Sequence, residues 1–384
     1  MADSTGWRNS VTASERYDNI QKIQKAAIDQ NAFSIETAAY QNSTSKEEYL
    51  SAIKLASSPA PEPETTPSSP PFSPPSPSSP GIKIGPHTSC HFIASGLTSD
   101  VYRTTSSSST LALKVITHSP PLPHSPHREA RILSSLTHPN IIPLLETFTD
   151  PATQSFVLVF PFQPLTLSSL PLPLSLPQTL SIFTQLFSAL SYLHQNQIIH
   201  RDIKPSSLLL SPPSPSCCTL YLSDFGTAYH PTLSAPHEPP AEKYLDVGTG
   251  PYRAPETLFG NKSYSTEIDV WAAGCTLAEC LTGKTLFTCP PANEDGNQLG
   301  LILSIFKTLG SPTRETWPEA EGFRTRPWDM YRVFEGKTWD EILGDEVQEK
   351  WSRLVEGCVR YESGRRIKAE QALRVLEGWK EEEE

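Results

Sequence analysis

At 384 residues the chain is longer than one average domain, and its net charge of −11 offers no general basic surface for nucleic acid. No charged-then-apolar leader opens it and no apolar run reaches 18 residues, so secretion and membrane spanning are not expected. The 7 cysteines are scattered without a CxxC pair, which fits a reduced compartment.

Residues 1–57 read as a small helical module. In WRNSVTASERYDNIQKIQKAAI, Ile20, Ile23, Ala27 and Ile28 share one helical face, with Ser10 or Thr12 as cap and Glu15 completing a capping box with Thr12. In STSKEEYLSAIKLA, Tyr49, Ile53 and Leu50 are the candidates for a second apolar face, capped by Ser43, Thr44 or Ser45. Residues 58–86 follow as a linker, rich in the chain's 38 prolines and unable to form helix or paired strand. Ser58, Thr66, Ser69, Ser73, Ser76 and Ser79 each precede a proline there, so the stretch is either an extended spacer or a segment phosphorylated by proline-directed kinases.

Residues 87–384 carry the chemistry. Phe156 to Phe160 (FVLVF) is a short apolar run expected as a buried strand. HRDIKPSSLLL (His200 to Leu210) comes next, then SDFG (Ser223 to Gly226) and RAPE (Arg253 to Glu256). Asp224 and Glu256 stand 22 and 54 residues after Asp202, an order and spacing that unrelated loops do not reproduce together. Between the first two motifs, SPPSPSCC (Ser211 to Cys218) reads as a surface loop lengthening a hairpin.

On these motifs the chain resembles a eukaryotic serine/threonine protein kinase of the cyclin-dependent-kinase branch. That branch is marked further by LILSIFKTLGSPTRETWPEA (Leu301 to Ala320). The resemblance implies an α+β bilobal fold, with an N-lobe at 87–162 and a C-lobe at 163–380. It implies that Mg²⁺-ATP binds between the lobes and that a protein hydroxyl is phosphorylated. ATP would be met by Ala94, Gly96, Val101, Ala112, Lys114 with its partner Glu129, Phe160 as gatekeeper, and Pro161, Phe162 and Gln163 as hinge. Asp202 would orient the acceptor hydroxyl, with Lys204 and Thr249 in the same hydrogen-bonded set, and Asp224, assisted by Ser207, would hold metal. Asp269 would anchor the catalytic loop from below, His200 would pack beneath it, and Arg366 would pair with Glu256.

Three departures from the family pattern bear on activity and control. IASGLTSDVY keeps one loop glycine of three, with Ala94 and Ser99 at the other positions. Ser207 stands where the family carries a metal-binding asparagine. The usual activating threonine falls on Tyr244, so either Tyr244 is phosphorylated near Arg201 or the loop is ordered without phosphate. HSPHREARIL also lacks the cyclin-recognition sequence, and GTGPYRAPE resembles the fungal single-chain kinases that activate cyclin-dependent kinases.

The expected activity is therefore a cyclin-independent protein kinase acting on another kinase or a similar protein, in the nucleus or cytoplasm. The alternative is a non-catalytic scaffold of the same fold. GWRNSVTASER and SKEEYLSAI resemble the ends of the KIX module of fungal Mediator tail subunits, which implies a helical peptide partner for residues 1–57. The other reading is a helical extension docked on the kinase or partly unfolded.

Overall fold

The computed structural model describes residues 43, 45–56, 81–96, 98–106, 109–118, 120–211, 218–234, 237–288, 297–329 and 333–383. The first expected helix, Trp7, the Ser-Pro and Thr-Pro sites of the linker and most of the SPPSPSCC patch lie outside them. Two compact units are present, 1–78 and 79–384.

In the first unit, helix α1 spans Lys46–Ala56, and Ser45 caps it by accepting the Glu48 N–H at 3.2 Å. Tyr49 and Ile53, four positions apart on one face, are buried. Leu50 is 45% exposed and belongs to the other face.

The second unit has the two lobes expected of an α+β bilobal fold. Its smaller lobe is built on the strands β1 (Ile82–Ile84), β2 (His87–Ser95), β3 (Ser99–Ser106), β4 (Ser109–Ile116), β5 (Glu146–Thr149) and β6 (Phe156–Pro161). They form an antiparallel sheet in the order β1-β2-β3-β4-β6-β5. Strand β4 alternates as a half-buried strand should: Leu111, Leu113 and Val115 enter a small apolar core with Val157 and Val159, which leaves Ala112 and Lys114 on the opposite face. Val157, Leu158 and Val159 on β6 are all buried, which accounts for the unbroken apolar run.

The linker reading placed residues 81–86 outside the fold, but β1 lies within that stretch. Ile84 is buried beside Cys90, and Gly85 turns the chain at φ +53° where a Cβ would come within 2.3 Å of the Phe148 ring. Three residues are too short a pattern to stand out after a proline-rich run.

Helix α2 (Pro126–Ser134) begins with Ser125 accepting the Arg128 N–H and proline in its first turn. The larger lobe holds α3 (Leu176–Gln195), α4 (Glu267–Thr282), α5 (Asn297–Leu309), α6 (Glu349–Cys358) and α7 (Ala369–Glu383). Helix α7 packs on α3, and α6 on α4, over a core that includes Phe183, Phe187, Trp271 and Trp351. A second sheet, β7 (Leu165–Thr166), β8 (Leu208–Leu210) and β9 (Leu220–Leu222), carries the catalytic loop before β8 and Asp224 after β9. β8 and β9 pair antiparallel, with Leu208 opposite Leu222 and Leu210 opposite Leu220. No described helix is long and apolar enough to cross a membrane.

Candidate active site

A cleft of about 400 Å³ opens in the second unit, lined by Gly96, Lys114, Glu129, Asp202, Asp224 and Thr249 among others. Strand register brings its upper wall together. Val101 lies opposite Lys114 across β3 and β4, Ala94 lies opposite Val101, and Ala112 lies opposite Phe160 across β4 and β6. At the β2–β3 turn the Gly96 N–H donates to the Ser99 carbonyl at 2.7 Å. A Cβ on Gly96 would meet only Ser99, at contact distance, so the fold itself tolerates a side chain there. At the rear, Phe162 gives its N–H to the Thr110 carbonyl at 3.0 Å, and Phe160, Pro161 and Gln163 are half-buried.

Lys114 Nζ donates to both Glu129 oxygens at 2.9 Å and to Asp224 Oδ1 at 3.1 Å. Burial alone would lower the Lys114 pKa, but the two carboxylates outweigh it and hold the ammonium above its ordinary value. Asp224, whose side chain is about half exposed, is held well below the usual carboxylate range by Lys114, against the opposing effect of burial. Both groups therefore remain charged at neutral pH.

The catalytic loop is held by Asp269, whose carboxylate accepts the His200 N–H at 2.9 Å and the Arg201 N–H at 2.8 Å and lies 3.0 Å from His194 Nε2. Arg201 and Asp224 both adopt left-handed backbone conformations, at φ +73° and +65°. Such strain persists only where surrounding bonds enforce it. His200, fully buried, accepts the Asp202 N–H through Nδ1 and donates from Nε2 to the Ser223 carbonyl, with its ring edge-on to Phe225.

Asp202, Lys204 and Thr249 form one set. Lys204 Nζ stands 2.6 Å from Asp202 Oδ2 and 2.9 Å from Thr249 Oγ1, and the Thr249 hydroxyl donates to Asp202 Oδ1 at 2.7 Å. Ser207 is buried, and its hydroxyl donates to the Lys204 carbonyl at 2.9 Å while accepting the Lys204 N–H at 3.1 Å. It closes the turn of the loop, which occupies both its proton and one lone pair. Below the cleft, Arg366 grips Glu256 through two bonds of 2.6 and 2.7 Å, both groups buried.

Three side chains near this machinery were not singled out from the sequence: His124, Arg128 and Glu238. His124 lines the cleft from the loop before α2, and burial pushes its imidazole below the ordinary value while Asp224 and Asp202 pull it back. Glu238 is wholly buried between Arg201 and Arg128. Its only sequence signal is an acidic residue in a proline-rich loop.

A family model for the protein kinase domain matches residues 88–375. The chain belongs to the protein kinase family. It is similar to the serine/threonine-protein kinase csk1 of Schizosaccharomyces pombe, with 36% identity over 221 residues covering 58% of this chain and 71% of that one. It is also similar to cyclin-dependent kinase E-1 of Arabidopsis thaliana, with 36% identity over 201 residues, 50% of this chain and 42% of the other. Among solved structures, the crystal structure of the yeast RNA Pol II CTD kinase CTDK-1 complex matches with a TM-score of 0.62 and 27% identity, covering 74% of this chain and 91% of that chain. The protein is thus a serine/threonine kinase of the cyclin-dependent-kinase-like branch. Residues 1–87 lie outside the matched domain.

Proposed function

We propose that this kinase is catalytically competent as a single chain, transferring the γ-phosphate of ATP to a Ser or Thr hydroxyl of a protein, with a cyclin-dependent kinase among its candidate acceptors. The observation that carries this reading is the closed Lys114–Glu129–Asp224 cluster facing the joined Asp202–Lys204–Thr249 set across one cleft. Lys114 would grip the nucleotide phosphates, and the Pro161 carbonyl and Gln163 backbone would meet adenine, because the Phe162 N–H is already spent on Thr110. Asp224, a carboxylate kept ionised and open to the cleft, suits a hard divalent cation, with the remaining Ser207 lone pair as an auxiliary oxygen. Bound Mg²⁺ would neutralise charge on the phosphates. Asp202 would orient the acceptor hydroxyl and take its proton, and Lys204 would stay beside the transferred group.

The second reading, a scaffold with impaired chemistry, is favoured by the commitment of the Ser207 hydroxyl to Lys204. The deciding experiment is transfer from labelled Mg-ATP by the purified full chain without a cyclin, beside an Asp224→Ala control. A cyclin-dependent kinase and a generic basic protein serve as acceptors. Transfer that disappears in the control is expected. ATP binding without transfer would favour the scaffold, unless adding a cyclin-like subunit restores the rate. A helical peptide partner for residues 1–57 is a separate proposal, tested by titrating labelled activation-domain helices against the full chain and against a chain starting at residue 79.

Gly96→Ala tests the phosphate-facing turn. The fold has room for the methyl, so stability should change by less than about 1 kcal/mol, while the KM for ATP rises several-fold. An unchanged KM would show that phosphate does not approach this backbone.

A further inference from the structure

Glu238 lies on the segment that follows the Asp224 turn, and its carboxylate has no exposed surface. Oε1 is 2.6 Å from Arg201 Nη2 and accepts the Tyr244 N–H at 2.8 Å. Oε2 stands 3.7 Å from Arg128 Nη1. Arg201 belongs to the catalytic loop, one residue before Asp202, and Arg128 belongs to α2, one residue before Glu129. A single carboxylate therefore joins the segment around 237–244 to the two elements that carry the acceptor-orienting aspartate and the partner of Lys114. The two arginines are fixed further by backbone carbonyls: Arg128 donates to those of Pro123 and Gly226, and Arg201 to that of Thr227.

The charge count around Glu238 is informative. Arg128, Arg201 and Lys243 are all buried; Glu238 faces both arginines, and Lys243 feels Glu267 as well as Glu238. The remaining positive charge rests on aromatic faces. The Arg201 guanidinium is 4.8 Å from the Tyr229 ring centroid and 5.5 Å from that of Tyr264, and Lys243 Nζ is 5.2 and 5.3 Å from the same two rings. Burial lowers the pKa of both Arg128 and Lys243, and the Glu238 carboxylate opposes that in each. The Tyr264 hydroxyl further fixes the segment by donating to the Tyr244 carbonyl at 2.6 Å. The Tyr244 hydroxyl turns back to the His237 carbonyl at 3.4 Å.

We propose that Glu238 is a built-in anion that orders this segment and holds α2 against the cleft, so that the kinase reaches its working arrangement with no phosphate on residues 231–249. A phosphate orders such loops by pairing with arginines from separate elements. Here a carboxylate makes the same junction with one charge, and two tyrosine faces take up the rest. Glu238 is a positioning residue, acting on Asp202 through Arg201 and on Lys114 through Arg128 and Glu129. The inference rests on the kinase reading above.

The test uses the full chain. Wild-type protein treated with a non-specific phosphatase should keep its rate and carry no phosphate on residues 231–249 by mass spectrometry. Tyr244→Phe, which keeps the backbone bond to Glu238, should match wild type. Glu238→Gln keeps the shape and removes the charge. It should lower kcat tenfold or more, affect the KM for ATP less, and speed hydrogen exchange over 126–134 and 237–249. Glu238→Asp should recover part of both. Glu238→Ala should regain rate when millimolar inorganic sulfate is added, while wild type does not.

A phosphatase-sensitive wild type, a tenfold loss in Tyr244→Phe, or wild-type kcat and exchange in Glu238→Gln would each overturn the proposal. A merely structural role would lower the melting temperature and leave kcat per folded molecule unchanged, which also overturns it. If Glu238→Gln does not fold, the phosphatase, Tyr244→Phe and Glu238→Asp arms still decide. If wild type transfers nothing, the kinase reading fails separately, and the exchange pattern alone tests the ordering role.

Discussion

Asp202→Ala is expected to lower kcat by about 10²–10⁴-fold, the range for losing a positioned general base, which corresponds to about 3–5 kcal/mol of barrier. The geometry explains why no neighbour can substitute. Asp202 Oδ1 and Oδ2 are the shared acceptors of Thr249 and Lys204, so removing the carboxylate leaves an ammonium and a hydroxyl with nothing to orient between them. Lys204 is the donor to both partners and Thr249 offers a hydroxyl, so neither supplies a carboxylate in its place. The affinity for ATP should move far less, because Lys114, Glu129 and Asp224 form a separate cluster. Steady-state kinetics with a peptide acceptor, read beside nucleotide binding, separate the two effects. A fall in kcat of less than tenfold would remove Asp202 from its assigned role.

The largest stability effect is expected at Glu256. Its two oxygens meet Arg366 at 2.6 and 2.7 Å with both side chains buried, and Arg366 is also fixed by the carbonyls of Arg360, Tyr361 and Glu267 and lies 5.0 Å from the Trp271 ring centroid. So tethered, the guanidinium cannot swing out to water when its partner is removed. Glu256→Ala should therefore cost about 3–5 kcal/mol, the usual consequence of stranding a buried charge. The joint replacement Glu256→Leu with Arg366→Met should recover much of that, since it removes both desolvation penalties together. Denaturant melts of the three proteins measure this directly. A joint variant as unstable as Glu256→Ala alone would mean that the pair contributes through its shape and not through its charge.

Much of the site was readable because its chemistry is carried by short local motifs. HRDIKPSS contains Asp202, Lys204 and Ser207 on one turn, SDFG contains Asp224, and REARIL sets Glu129 on the face of α2 that meets Lys114. Recurring phosphoryl-transfer parts at fixed spacing also made Asp269 and the Glu256–Arg366 pair expectable through the family resemblance. The alternation of β4 and the continuous apolar run of β6 likewise follow from side-chain patterning, with period two for a half-covered strand and none for a covered one.

Other features were hidden for a physical reason. Glu238 and Arg201 are 37 residues apart and Glu238 and Arg128 are 110 apart, so nothing local distinguishes this glutamate from a solvated one. Ser207 looked like a free oxygen for metal, but its hydroxyl bonds in both directions with the Lys204 backbone, a geometry that exists only once the loop has closed. Leu50 was counted with Tyr49 and Ile53, yet at 45% exposed it sits on the other side of α1.

By itself, then, the sequence determined the two-lobed fold, strands such as β4 and β6, and the identity of the charged groups, because hydrophobic period and motif spacing act over a few residues. The tertiary structure alone decided which charge faces which, because an ion pair's worth depends on burial and on partners brought from distant parts of the chain. Arg201 shows both: its place beside Asp202 is written in three letters, and the carboxylate it meets, Glu238, is delivered by the fold from 37 residues away.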